Sequence, residues 1–274
     1  MKKTLFLTAV LLLGMTTATA QEETGKLGLN VGLGTTGISI DAAYKPCGII
    51  GVRAGVDIDP RVSYKHNVEV RNAAGYQELV DAGMGSLGLP SVQVPTEVEL
   101  EGRTKISSGH VLVDLYPGRK SVFHFTVGAY LGSDNVVNVT TVNDDYLKGV
   151  YVYNRFCEQN ATLIPGYNLN DYKVGVQLGD YFLEPDADGH VKADVRVKKF
   201  RPYVGIGVGR CVPNRRIGVS FDFGVQIWGK PELWAQDHQL SKDDFKGKDG
   251  GMVEVLTKIS VWPMLTLRLT GRIL

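Results

Sequence analysis

Ser107, Ser108 and His110 fall within four residues of one another, and a second histidine, His124, follows on the next apolar stretch. A hydroxyl beside an imidazole can begin a nucleophilic device, because the ring can take the hydroxyl proton. Ser108 and His110 are two apart, so on a strand they share a face. No acid or oxyanion donor stands in a consistent relation to them, and catalysis is therefore the third of three readings. "GLGTTG" at 32–37 has the spacing of a dinucleotide-binding glycine loop, which requires a strand before it and a helix after it. "ISIDAAY" follows Gly37 and alternates like a strand, so no helix is expected to offer amides to a phosphate. "PDADG" at 185–189 carries two acids without the spacing of a calcium loop. It reads as a hairpin turn joining 181–184 to 190–197. Cys47, Cys157 and Cys211 lack the spacing of a zinc site; Cys47 and Cys211 are either a pair or free thiols. No catalytic residue, cofactor or metal site is expected.

A larger polar set emerges from the elements that must carry it. In "RIGVSFDFGVQIW" (216–228), Ile217, Val219, Phe221, Phe223, Val225 and Ile227 alternate with Gly218, Ser220, Asp222, Gly224 and Gln226. Such alternation marks a strand with two unlike faces. It recurs at 49–58, with Arg53 and Asp57 on the polar face, and at 109–116, with His110 and Asp114. In 121–132 His124 and Tyr130 share the polar face, and in 200–210 Arg201 and Tyr203 do so. The C-terminal stretch sets Thr266, Arg268 and Thr270 against Val261, Leu265, Leu267 and Leu269.

The polar faces hold glycine, single charges and small hydroxyls. Glycine on a wet strand face packs nothing, whereas inside a narrow barrel it makes room for other side chains. The apolar faces carry no charge, as contact with lipid demands. "KPCG" (45–48), "PGRK" (117–120) and "VPNRR" (212–216) read as short turns, alternating with long connections at 59–103, 133–199 and 229–258. Counting back from the C-terminus gives seven strands down to residue 38. A closed single-chain barrel has an even number, so 27–33 supplies the eighth and "GTTG" becomes a tight turn. This first hairpin is shorter than the 9–11 residues expected of a membrane-crossing strand, and 133–199 has room for further strands. The expected fold is all-β: an eight-stranded antiparallel up-and-down transmembrane barrel with long extracellular loops. Trp228, Trp234 and Trp262 fall at or beyond strand ends on the loop side, where an aromatic belt is expected.

The chain opens with Lys2 and Lys3, an apolar stretch at 4–13 and Ala18-Thr19-Ala20, the pattern of a secretory signal peptide over 1–20. The barrel domain is then 21–274. Without the two lysines the chain has 28 basic and 29 acidic residues, a balance that suggests no nucleic-acid partner.

With "FRPYVGIGVGR" followed by "RIGVSFDFGVQIWGKPEL", the chain resembles small outer-membrane β-barrel proteins of Gram-negative bacteria, the broad OmpA/OmpW-like group, and within it a poorly characterised barrel family. The resemblance implies the outer membrane as location, with membrane lipid and the barrel-assembly machinery as partners. It departs from the group in ending on Leu274 rather than an aromatic residue, and nothing after the last strand matches an OmpA-type peptidoglycan-binding domain. The long connections are candidate sites for a surface ligand. The candidate functional residues are the inward ones: Asp41, Arg53, Asp57, His110, Asp114, His124, Tyr130, Arg201, Tyr203, Ser220, Asp222, Gln226 and Arg268. They form either a paired network that plugs the lumen of a structural or surface-interaction barrel, or the lining of a narrow channel for small solutes; the resemblance implies a lipid-modifying enzyme as the third reading, since some small outer-membrane barrels use Ser and His in that way. Acids and arginines are expected in near balance, paired across the lumen.

Overall fold

The computed structural model describes residues 25–142, 145–164, 166, 168–178, 181–235, 238–239 and 260–274. The signal-peptide segment 1–20 and much of the last long connection lie outside them. The strands in chain order are β1 (Lys26–Gly34), β2 (Gly37–Cys47), β3 (Ile50–Ile58), β4 (Ser63–Arg71), β5 (Glu97–Thr104), β6 (Ser108–Leu115), β7 (Phe123–Gly132) and β8 (Asn135–Thr141). They continue with β9 (Gly175–Leu178), β10 (Tyr181–Leu183), β11 (Lys192–Arg196), β12 (Phe200–Val208), β13 (Ile217–Ile227), β14 (Glu232–Ala235), β15 (His238–Gln239) and β16 (Val261–Arg272). Two helices, α1 (Ala73–Asp81) and α2 (Asp145–Gln159), lie among them.

Eight of these strands close an antiparallel barrel in the order β1-β16-β13-β12-β7-β6-β3-β2. They are the eight expected from the alternation. The ladder between β1 and β16, from Gly28↔Arg272 to Gly34↔Thr266, removes the last sheet edge. "GTTG" is a tight turn in which Gly34 faces Gly37, and no helix follows it. The first hairpin is longer than the alternation suggested, with nine residues in β1 and eleven in β2. Facing follows parity throughout: on β13, Phe221 and Phe223 are 46 % and 48 % exposed, while Asp222 between them is 2 % exposed.

The long connections are in large part strands. Sheet order β10-β9-β4-β5-β8-β11-β14-β15 defines a second sheet. Its middle run, β4-β5-β8-β11-β14, repeats the barrel order β3-β6-β7-β12-β13, because each of these barrel strands continues past the rim into its counterpart. Hydrogen bonds cross the rim with little interruption, as in Lys105 N–H to Val136 O (2.9 Å) and Val197 N–H to Asp134 O (2.7 Å). The "PDADG" segment does turn, with the Gly189 N–H donating to Asp186 O. Its flanks do not form the expected hairpin. β10 pairs with β9, and β11 pairs with β8 and β14, since those partners bring more ladder than a three-residue β10 can.

The second sheet has its own core. Leu147, Val150, Tyr153 and Cys157 of α2 are fully buried against Val98, Leu100 and Val176. Their spacing of three, three and four residues makes one helical stripe. Lys173 bridges Glu158 and Glu184 at 2.7 and 3.1 Å. Its ammonium and the Arg155 guanidinium hold the Glu158 carboxyl below the usual carboxylate range. Asn154, also buried on α2, ties down the chain before β9. Its amide donates to Val174 O at 2.7 Å and its carbonyl accepts from Val174 N–H at 2.9 Å. Asn154→Ala leaves both backbone groups unpaired, each at a cost of about 1–3 kcal/mol. Hydrogen exchange should then accelerate over 174–178 while the barrel strands keep their protection; unchanged exchange there would contradict this role for Asn154.

Candidate functional site in the barrel lumen

All thirteen inward residues named from the sequence are buried, none more than 4 % exposed. Eight of them form one continuous ionic network. Arg53 on β3 donates to Asp114 on β6 (Nη2 to Oδ1, 2.7 Å) and to Asp222 on β13 (Nη1 to Oδ2, 3.3 Å). Strands β3 and β13 are four apart in a ring of eight, so this guanidinium joins opposite walls. Arg268 contacts Asp222 through Nη1 and lies 3.1 Å from Asp41 through Nε. His110 meets Asp41 at 2.5 Å through Nε2 and faces Asp57 at 3.5 Å through Nδ1. His124 meets Asp222 at 2.8 Å. Four carboxylates thus face two guanidiniums and two imidazoles, and Thr126 adds a hydroxyl donor to Asp114 at 2.8 Å. Buried charges are costly unless they are paired.

Two glycines make the histidine pairs possible. Gly55 lies in register between Asp41 and His110, and Gly207 between His124 and Asp222. A Cβ on Gly207 would run into His124 Nε2 and Asp222 Oδ1, and one on Gly55 into Asp41 and the Ile40 carbonyl. Each pair therefore closes over the strand between its partners, which works only where that strand has no side chain.

The remaining five are outside this set of ion pairs, although the Tyr130 ring lies 5.0 Å from that of His110. Tyr130 and Tyr203 meet edge to face, centroids 5.5 Å apart, in an apolar cluster with Leu112 and Met264. Ser220 is buried opposite Arg268 in the β13–β16 register. Arg201 does not join the acids, contrary to the expected balance. It sits at the rim, donating to the carbonyls of Lys198 (3.0 Å) and Ser133, with its guanidinium 5.5 Å from the Trp228 ring centroid. At that height β12 faces the residues that connect β7 to β8, where the Ser133 carbonyl accepts from the guanidinium, and the nearby Asp134 carboxylate pairs with Lys199 at 3.4 Å. Gln226 accepts from the Trp228 indole N–H at 2.9 Å.

Aromatic or apolar side chains lie at both ends of the barrel. At the second-sheet end Trp228 and Trp262 stack with centroids 4.7 Å apart and planes 4° apart. They cap the barrel instead of joining an aromatic belt, because each has the parity of its inward neighbours, Gln226 and Met264. Trp234 lies on β14 of the second sheet under the Arg196 guanidinium, at 4.2 Å. At the turn end, Cys211 and Val212 fold inward against Ala43, and the Cys211 N–H donates to the Tyr116 hydroxyl at 3.0 Å. Cys47, Cys157 and Cys211 are free thiols.

The other chemical candidates assemble less. Both His110 nitrogens face carboxylates, so neither is placed to take a proton from Ser108, and the Ser107 hydroxyl accepts from the Asp59 N–H at 2.9 Å. Asp186, Asp188 and His190 bring ligand atoms within 4.8 Å of one another. Asp186 is occupied, however: Oδ1 accepts from the N–H groups of Asp188 and His190, and Oδ2 from the Lys192 ammonium at 3.1 Å.

No protein-family model matches the chain, and no curated relative does. Among solved structures it is similar to two Acinetobacter baumannii proteins. The crystal structure of CarO2 is 11 % identical with a TM-score of 0.45, over 92 % of this chain and 100 % of that one. The crystal structure of CarO is 13 % identical with a TM-score of 0.42, over 90 % of this chain and 97 % of that one. The functional reading rests on the barrel's own geometry.

Proposed function

We propose that this chain is an outer-membrane β-barrel with a plugged polar lumen, and that its role is structural or one of surface interaction. The carrying observation is Arg53, whose guanidinium ties opposite walls together across the lumen. Eight strands enclose a space that side chains can just fill. The continuous belt of exposed apolar side chains, such as Leu29, Val127, Ile206, Phe223 and Leu267, supports contact with lipid. A closed sheet also leaves no unpaired backbone edge in hydrocarbon. In this orientation the short basic turns face the periplasm, and the second sheet stands outside the cell as the surface for a partner.

The narrow-channel alternative draws on a different feature. The buried hydroxyls of Ser39, Ser108 and Thr270 have no hydrogen-bond partner among the described residues, so parts of the lumen wall have spare capacity for a polar solute. Planar-bilayer recording separates the two. Refolded wild-type protein should give no stable conductance. A steady ohmic conductance would overturn the plug and establish the channel.

A further inference from the structure

The turn end of the barrel is one-sided in charge. Arg119 and Lys120 stand between β6 and β7, Arg210, Arg215 and Arg216 between β12 and β13, and Arg272 ends β16. These strands are successive in the ring, β16-β13-β12-β7-β6, so the six cations follow one arc of the rim. No Asp or Glu occurs in 116–122, 209–217 or 271–274.

Neutral acceptors hold the arc together. Arg210 donates to Asn214 Oδ1 at 3.1 Å and to the Arg119 carbonyl at 2.8 Å. Arg272 donates to the Asn214 carbonyl at 2.7 Å, and its backbone N–H to Arg216 O at 2.8 Å. The Arg119 stem lies across Gly48 of the neighbouring turn, where a Cβ would meet its Cγ. A guanidinium has five N–H donors, so these contacts orient the arginines without neutralising them. Lys120, Arg215 and Arg216 are exposed, and their side chains have no partner among the described residues.

Six positive charges without an acid call for an anion, and the planar guanidinium fork matches phosphate in particular. The cations also stand where the outward apolar belt ends. Exposed Val122, Ile217 and Ile273 follow Lys120, Arg216 and Arg272 within two residues. An anion held here borders hydrocarbon, which is the place of a lipid headgroup and not of a soluble polymer. We infer that the turn end binds the phosphates of anionic phospholipids in the leaflet from which it emerges, in preference to zwitterionic ones. This rests on the membrane reading proposed above. Headgroup preference is read in detergent, however, so its failure would leave the lipid-facing belt and the plug untouched.

The probes are phosphatidylglycerol and phosphatidylcholine with identical acyl chains, added to the full chain in detergent and read by native mass spectrometry. One cation near an anionic lipid surface gives about a five-fold gain in affinity. Phosphatidylglycerol should therefore be held about ten-fold more tightly or better. Lys120→Gln/Arg215→Gln/Arg216→Gln should bring the two lipids within about three-fold of each other. Lys120→Gln/Arg215→Gln should give an intermediate preference, and it decides the matter should the triple variant misfold. Lys198→Gln/Lys230→Gln, at the second-sheet end, should keep the full preference. Equal retention of both lipids by wild type, or a preference that survives the turn variants, overturns the inference. Inorganic phosphate that displaces the lipid would assign the surface to a soluble anion instead. Pelleting with insoluble peptidoglycan that the triple variant abolishes, with lipid preference intact, would assign it to the wall polymer.

Discussion

Arg53→Ala should destabilise the barrel by about 3–5 kcal/mol, the usual cost of removing one partner from a buried charge cluster. Asp114 would keep only the Thr126 hydroxyl at 2.8 Å and the His124 ring at 3.9 Å. Asp222 would retain Arg268 and His124, so most of the loss should come from Asp114. Adding Asp114→Asn to Arg53→Ala should therefore recover a substantial part of it. Urea unfolding of barrel reconstituted in vesicles gives the stability of all three proteins. The same variants test the plug: removing the bridge between β3 and β13 should turn a silent barrel into a conducting one. A loss below about 1 kcal/mol, the range of solvent-exposed ion pairs, would mean that the lumen is wet and the network incidental.

Phe223→Arg should cost about 2–4 kcal/mol, the range for a cation placed on the lipid face near the bilayer midplane. Phe223 lies one residue from the centre of the eleven-residue β13 and is 48 % exposed on the outward face. Phe223→Leu keeps the site apolar and serves as the control, with a much smaller effect expected. The folded fraction in vesicles, read from heat-dependent migration in SDS gels, reports both. If arginine is tolerated as well as leucine, the outward belt does not face hydrocarbon, and the membrane reading falls while the lumen geometry stands. An arginine effect confined to vesicles and absent in detergent would locate the penalty in the bilayer itself.

Strand number and facing were legible because parity is a local property. Phe221, Asp222 and Phe223 declare their sides within three residues, and this holds for each barrel strand. The same parity placed Trp228 beside Gln226 and Trp262 beside Met264 on inward faces, so the stacked cap was readable and was outweighed by position near strand ends. Likewise "EVELE" at 97–101 alternates as clearly as many barrel strands. Its acids do not fit a lipid face, yet they suit a strand of the second sheet. A barrel strand and its continuation above the rim share one backbone ladder; neither glycine nor proline lies between β5 and β6, and the Gly132 that ends β7 still pairs with Ser108 in the barrel ladder.

By itself, then, the sequence determined an all-β chain, eight barrel strands, their order along the chain and the inward position of every candidate lumen residue. Each of these follows from a period of two and from turn residues lying next to the strands they join. The partners were decided by the tertiary structure alone. Arg53 and Asp222 are 169 positions apart and meet only because closing β1 onto β16 sets opposite walls facing one another. Arg201 has the same parity and the same charge, yet finds carbonyls because its height along the axis puts it at the rim. Height depends on the stagger between strands, a sum of registers around the whole ring that no local pattern encodes.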